Sequence, residues 1–108
     1  MNIAFYAVNL ASSDCKESAN IYSETFQGKI IVCKKQHAEI ILDDKIRIFF
    51  DSLEGHCPAQ PGNLTFSLNR AKKPDLPAFF QPEYSFIEKG YFSYRDKYLN
   101  RIWFYYRE

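Results

Sequence analysis

Few side chains in this 108-residue sequence are of a type that does chemistry, and their spacing narrows what that chemistry is. His37, His56, Cys57 and Asp51 are transition-metal ligand types. Only His56 and Cys57 are adjacent, and neighbours in the chain rarely grip one ion together. His37 opens a strand-like run and reads as a surface residue. A cysteine nucleophile needs a base within reach. Cys57, beside His56 in a loop, meets that condition better than Cys33, which lies in an apolar strand and reads as core. Asp51, Glu88 and Arg47 are the carboxylates and the cation available for metal-free acid–base work, although such residues are more commonly ordinary strand-surface charges. No glycine-rich phosphate loop and no nucleophile-elbow pattern occurs.

The composition bounds the partners. Lys and Arg number 14 against 13 Asp and Glu, a net charge of +1, so no long-range field gathers nucleic acid or an anionic membrane. The segment KGYFSY, residues 89–94, resembles the first ribonucleoprotein motif of RNA-recognition domains. Phe92 stands where that motif wants a small residue, another strand follows where it wants a helix, and the charge balance removes the salt-dependent affinity such binding relies on. No basic stretch followed by an apolar run opens the chain, so no signal peptide is expected. No apolar run nears the ~18 residues of a membrane span. Cys15, Cys33 and Cys57 are an odd number without framework spacing, which points to reduced thiols in a cytoplasm. Apolar residues make up 46% and aromatic ones 18%. That is more ring area than a small core uses, so part of it is expected to line a pocket or an interface, with an aromatic-rich β core as the plainer alternative.

The elements that must position these groups follow from periodicity and punctuation. Residues 2–10, NIAFYAVNL, read as a strand. Asp14 then caps a helix with Glu17 as its capping-box partner. In CKESANIYSETFQ, Cys15, Ala19, Tyr22 and Phe26 share one face, and Gly28 is the natural stop. Three strand-like runs come next, KIIVCKK, HAEIIL and KIRIFFDS, with Asp43-Asp44 as a tight turn between the last two. Alternation points Ile46, Ile48 and Phe50 one way and Arg47, Phe49 and Asp51 the other. The stretch 53–62, LEGHCPAQPG, is a turn-rich joint. The second half restarts with NLTFSLN. Its helix slot, KKPDLPAFFQP, holds three prolines, so only a single turn is expected, capped by Asp75, with Pro77 in its first turn and Pro82 at its end. YSFIEKGYFSYRD and NRIWFYYRE then read as strands joined by KYL, with a further short strand possible near Pro82–Ser85.

The start of each half repeats a pattern: MNIAFYAVNLASSD at residues 1–14 and GNLTFSLNRAKKPD at 62–75. Each half alone exposes a sheet face that it cannot cover. The expectation is a single domain over residues 1–108, with repeat 1 about 1–52, the joint at 53–62 and repeat 2 about 63–108.

The doubled order, the stretch ESANIYSETFQGK and the ending KGYFSYRDKYLNRIWFYY resemble the vicinal oxygen chelate superfamily, which includes glyoxalases, extradiol dioxygenases and bleomycin- and fosfomycin-resistance proteins. Ser18, Ile21, Tyr22, Phe26 and Gly28 match the family's helix-end pattern, with Gln27 as an extra residue. Tyr94, Asp96, Asn100, Ile102 and Phe104 match its C-terminal pattern. The resemblance implies an α+β fold of two paired βαβββ modules forming a curved, cup-shaped mixed sheet, the second with a shortened helix. Metal enzymes of the family draw ligands from the start of each module's first strand and from its last strand. Carried over, those positions fall on Asn2 and Asn63, and on Phe49 and Trp103. The Asn2 register needs extra residues before the helix; Ala7 in its place removes them. Phe49 and Trp103 have no lone pair for a metal, so no metal and no cofactor is expected.

In the implied cup, Tyr6, Phe49, Trp103 and Tyr105 are the aromatic lining, and Asn2, Asn63, Thr65, Ser67, Arg47 and Asp51 add polar groups. The expected function is metal-independent binding of a small, partly aromatic or cationic organic molecule, with Asp51 or Glu88 pairing a cation. A glyoxalase-like lyase or isomerase with an atypical site, and a protein-interaction module whose cup is filled by these rings, are the alternatives. A cytoplasmic homodimer is the expected form.

Overall fold

The structure, a computed structural model, describes residues 2–69 and 74–107. Asp14 begins the helix as its type predicts: its carboxylate accepts the Glu17 backbone N–H at 3.3 Å. Helix α1 runs from Cys15 to Phe26 and buries Cys15, Ser18, Ala19 and Tyr22. Its end corrects the sequence reading. Gln27, not Gly28, takes the left-handed conformation, with φ 57°. Gly28 is needed for space instead, because a Cβ there would stand 2.7 Å from Leu42 Cδ2.

The chain divides after Gln60 into two units. In the first, β1 (Val8–Ala11), β2 (Lys29–Cys33), β3 (His37–Leu42) and β4 (Ile46–Asp51) form a sheet in the order β1-β4-β3-β2. β1 and β4 are parallel and the other pairs antiparallel. Asp43 and Asp44 make the turn between β3 and β4, both at φ 53°, a conformation Asp tolerates better than most residues. The first strand is shorter than its sequence suggests. It starts at Val8 rather than residue 2; Ile3 and Phe5 are 80% and 82% exposed, so no buried face holds residues 2–7 in a ladder.

One face of this sheet is the core. Leu10, Ala38, Ile40, Ile48 and Phe50 are fully buried there, and α1 packs on β2, β3 and β4. Tyr22 lies 4.9 Å from Phe50, centroid to centroid. Burying a side chain of this size stabilises by about 1.5–3 kcal/mol.

The second unit repeats the order with β5 (Asn63–Leu68), β6 (Phe80–Phe86), β7 (Tyr91–Asp96) and β8 (Arg101–Tyr106), as β5-β8-β7-β6. β5 and β8 are parallel, and the remaining pairs antiparallel. Three readings of this half are corrected. The expected helical turn at Asp75 is not formed in the described part of its slot; Pro74–Pro77 is irregular, and a turn at Ala78–Phe79 is closed by the Phe80 N–H to the Pro77 carbonyl at 3.0 Å. Residues 70–73 of the slot lie outside the described residues. Prolines at 74 and 77 withhold the N–H groups a helix would use. Pro82, expected to end that turn, lies inside β6, where the register slips between Pro82 and Ser85. The further strand expected near Pro82–Ser85 is therefore present and longer. The run read as one strand over 84–96 is two, because a 3₁₀ turn at Ile87–Lys89 and Gly90 at φ 93° divide it.

The core of this unit is made of rings. Phe92 and Phe104 stack at 5.3 Å, and Phe66 and Tyr94 each sit 5.9 Å from Phe104. The architecture is α+β: a βαβββ module twice over, the second without a helix among the described residues. No described helix is long and apolar enough to cross a membrane.

Candidate functional site

Alternation along β1, β3 and β4 puts Asn9, His37, Glu39, Arg47, Phe49 and Asp51 on the face opposite the helix. The register pairs His37 with Asp51, and Phe49 with both Glu39 and Asn9. Asn9, His37, Glu39, Arg47 and Asp51 form one polar network. Asp51, only 2% exposed, has Oδ1 2.6 Å from His37 Nδ1 and accepts the Asn9 side-chain N–H on Oδ2 at 3.1 Å. His37 Nε2 lies 2.8 Å from Glu39 Oε2, and Arg47 donates to Glu39 Oε1 at 3.3 Å. Burial pulls the His37 pKa down, but the hydrogen bonds to Glu39 and Asp51 outweigh it and hold the imidazole above its ordinary value. Burial, reinforced by the Asp51 charge, pushes the Cys15 thiol up to about 11.

Beside this network is an open hollow of about 590 Å³ with Phe5, Tyr6, Asn9, His37, Phe49 and Cys57 in its walls. Its rings meet edge to face: Tyr6 on Phe49 at 5.8 Å, and His37 on Phe49 at 5.2 Å. The Arg47 guanidinium lies 4.9 Å from the Tyr6 centroid. Chemically this is a largely apolar recess, joined to the charged network through His37 and Asn9 in its wall.

The corresponding face of the second sheet is different. Asn63, Thr65 and Ser67 of β5 are exposed and stand beside Arg101, Trp103 and Tyr105 of β8. Trp103 is stacked on Tyr84 at 5.8 Å with 6° between the planes, and Tyr91 meets it edge-on at 5.8 Å. The Arg101 guanidinium covers Tyr84 at 5.0 Å. Glu83 clamps this face, 2.7 Å from Arg101 Nε and 2.6 Å from Arg95 Nε, and accepts from Ser93 at 3.1 Å. The Arg101 hydrogen bond leads in lowering the Glu83 pKa to about 2. Glu88 falls in the 3₁₀ turn and lines a separate hollow of about 270 Å³.

Of the residues singled out from sequence, Arg47, Phe49 and Asp51 lie on the first sheet with Tyr6, which precedes it, against Phe49, and Asn63, Thr65, Trp103 and Tyr105 lie on the second. His37 was read as a surface residue and is instead the centre of the first network; Glu39 was not singled out at all. The signal was available: counting back along both strands from the Asp43-Asp44 turn sets His37 opposite Asp51.

The ladders fix the positions that the resemblance assigns to metal ligands. Asn9 stands opposite Phe49 and Thr65 opposite Trp103. The position matching Asn63 is therefore Ala7, and Asn2 precedes β1. Ala7, Phe49 and Trp103 offer no donor to an ion, and both His37 nitrogens face carboxylates. Among the described residues no group of three His, Cys, Asp or Glu is arranged to hold a metal. These residues do not supply the donor set that the resemblance implies for a metal enzyme.

No family model and no curated protein matches the chain by sequence. Solved structures match it by fold. A fosfomycin resistance protein from Mesorhizobium loti superposes with a TM-score of 0.66 at 10% identity, over 100% of this chain and 95% of that one. A lactoylglutathione lyase from Agrobacterium tumefaciens gives 0.64 at 10% identity, over 95% and 92%. A bleomycin resistance determinant encoded on the transposon Tn5 gives 0.60 at 14% identity, over 98% and 99%.

Proposed function

We propose that this chain, whose fold is that of the vicinal oxygen chelate superfamily, binds a small, partly aromatic organic cation without the help of a metal ion. The observation that carries the reading is the aromatic-walled hollow on the first sheet, about 590 Å³, within the range of small-molecule sites. Tyr6 and Phe49 supply ring surface for a planar ligand. The network holds two carboxylates, Asp51 and Glu39, and one guanidinium, that of Arg47 on Glu39, so whenever His37 is uncharged it favours positive charge. On the second sheet Asn63, Thr65, Trp103 and Tyr105 offer the matching face, but Trp103 is already stacked on Tyr84. That self-stacking favours a second reading for this sheet alone, an interaction surface rather than a ligand site.

Edge strands and the exposed apolar side chains Ile3, Phe5, Ile30 and Ile31 support a homodimer. The free Cys15, Cys33 and Cys57 suit a reducing cytoplasm.

Calorimetry, which reads binding at either sheet, is the assay. Benzamidinium and related planar cations should bind the intact protein, and Phe49→Ala should weaken binding about tenfold, roughly 1.4 kcal/mol. Failure of every cation to bind, or affinity indifferent to Phe49→Ala, overturns the reading.

A further inference from the structure

The two ring nitrogens of His37 both face carboxylate oxygens, Nδ1 at 2.6 Å from Asp51 and Nε2 at 2.8 Å from Glu39. An ionised carboxylate only accepts hydrogen bonds, so each contact needs an N–H from the ring. A neutral imidazole has one. The bridge therefore holds one proton more than a neutral histidine beside two carboxylates.

When that proton leaves, one contact opens, and the structure decides which. Asp51 is buried, with its other oxygen committed to Asn9; losing the ring N–H would strand a charge away from water. The Glu39 side chain is 17% exposed and keeps Arg47. The Nε2–Glu39 contact is the one that opens, leaving the ring lone pair facing Glu39 Oε2 with no proton between them, while Arg47 stays on Oε1. Asp51 and Arg47 from β4, Glu39 from β3, and Cys57 and Tyr6 in the walls of the hollow are the titratable and charged groups around this ring.

We propose that the ligand of the hollow is a protonated amidine, guanidine or amine whose N–H groups take the place of the lost ring proton between His37 and Glu39, so that binding releases one proton. This rests on the reading of the hollow as a ligand site. The raised His37 pKa supports it, since the ring keeps its proton closer to neutrality, where it competes with the ligand. Below that pKa the ligand must displace the proton, so affinity climbs about tenfold per pH unit; above it affinity is flat.

The test is calorimetric titration of the whole protein with benzamidinium across the His37 transition, in buffers of different ionisation heat. Affinity should rise with pH at that slope, with one proton released per ligand. His37→Gln should bind with affinity independent of pH. Phenyltrimethylammonium, a cation without N–H groups, should bind at least about tenfold more weakly than benzamidinium above the transition. Benzamidinium binding that is flat in pH and releases no proton overturns the inference while the hollow stands as a site. Equal binding of the two cations overturns the bridging role. No binding of either at any pH overturns the hollow reading and this inference with it. If His37→Gln fails to fold, NMR titration of the His37 ring in the unaltered protein decides: its pKa should fall on saturation with benzamidinium, and an unchanged value overturns the proposal.

Discussion

The two sheets share a strand order and differ in what fills their layers. The first sheet closes its inner face with a 12-residue helix, whose Ala19 and Tyr22 are shut away along with Ile40, Ile48 and Phe50. The second has no helix among the described residues and concentrates rings instead, with Phe104 touching Phe66, Phe92 and Tyr94. Large side chains in one module do what a whole element does in the other. The opposite faces diverge too. The first keeps an ionic bridge at the edge of a recess; on the second, Trp103, Tyr84 and Arg101 close on one another.

The largest test of this contrast is Phe104→Ala against Phe50→Ala. Each should cost about 3–5 kcal/mol, read from denaturant midpoints. A loss below about 1 kcal/mol for Phe104→Ala would show that the ring stack does not hold the second module. A smaller effect belongs to the helix-bearing module alone. Gly28→Ala drives a Cβ to 2.7 Å from Leu42 Cδ2 and should cost about 1–3 kcal/mol, whereas Gln27→Gly, one residue earlier, should gain up to about 1 kcal/mol by relieving a left-handed non-glycine residue. Equal effects at the two positions would contradict the division of labour between them.

The smallest effects are those of pH, and they run in opposite directions. Glu83 has a folded-state pKa of about 2 against an ordinary 4.5. Its contribution is complete above the ordinary value and disappears as pH falls through the folded one. His37 is raised, so its contribution is complete below its ordinary value of 6.5 and disappears as pH rises through the raised one. Stability–pH curves of Glu83→Gln and His37→Gln should therefore flatten on the acid and the neutral-to-alkaline side respectively. Flattening on the same side would sink the assignment.

Much of this was legible where local chemistry and tertiary packing agree. The Asp14 cap, the Cys15–Tyr22 stripe and the alternation of β4 all express short-range rules, and the structure keeps them. The reading failed where a residue answers to a distant neighbour. Pro82 suggests a helix stop from its own geometry, yet it belongs to β6 because that strand pairs with β7. Asn2 and Asn63 look equivalent as letters, but the ladder equates Asn63 with Ala7, since only pairing with the last strand of each module sets the register. His37 looked like a surface residue because nothing adjacent to it in the chain reveals that Asp51 and Glu39 meet its ring.

β6 has a consequence for how the protein coexists with its own copies. Among the described residues its one ladder partner is β7, and residues 81–86 are exposed. Such a margin ordinarily invites cross-β growth, one molecule templating the next. Here an imino acid, a slipped register and the Glu83 carboxylate interrupt the template within a few residues, which makes fibril-like stacking along this border unfavourable.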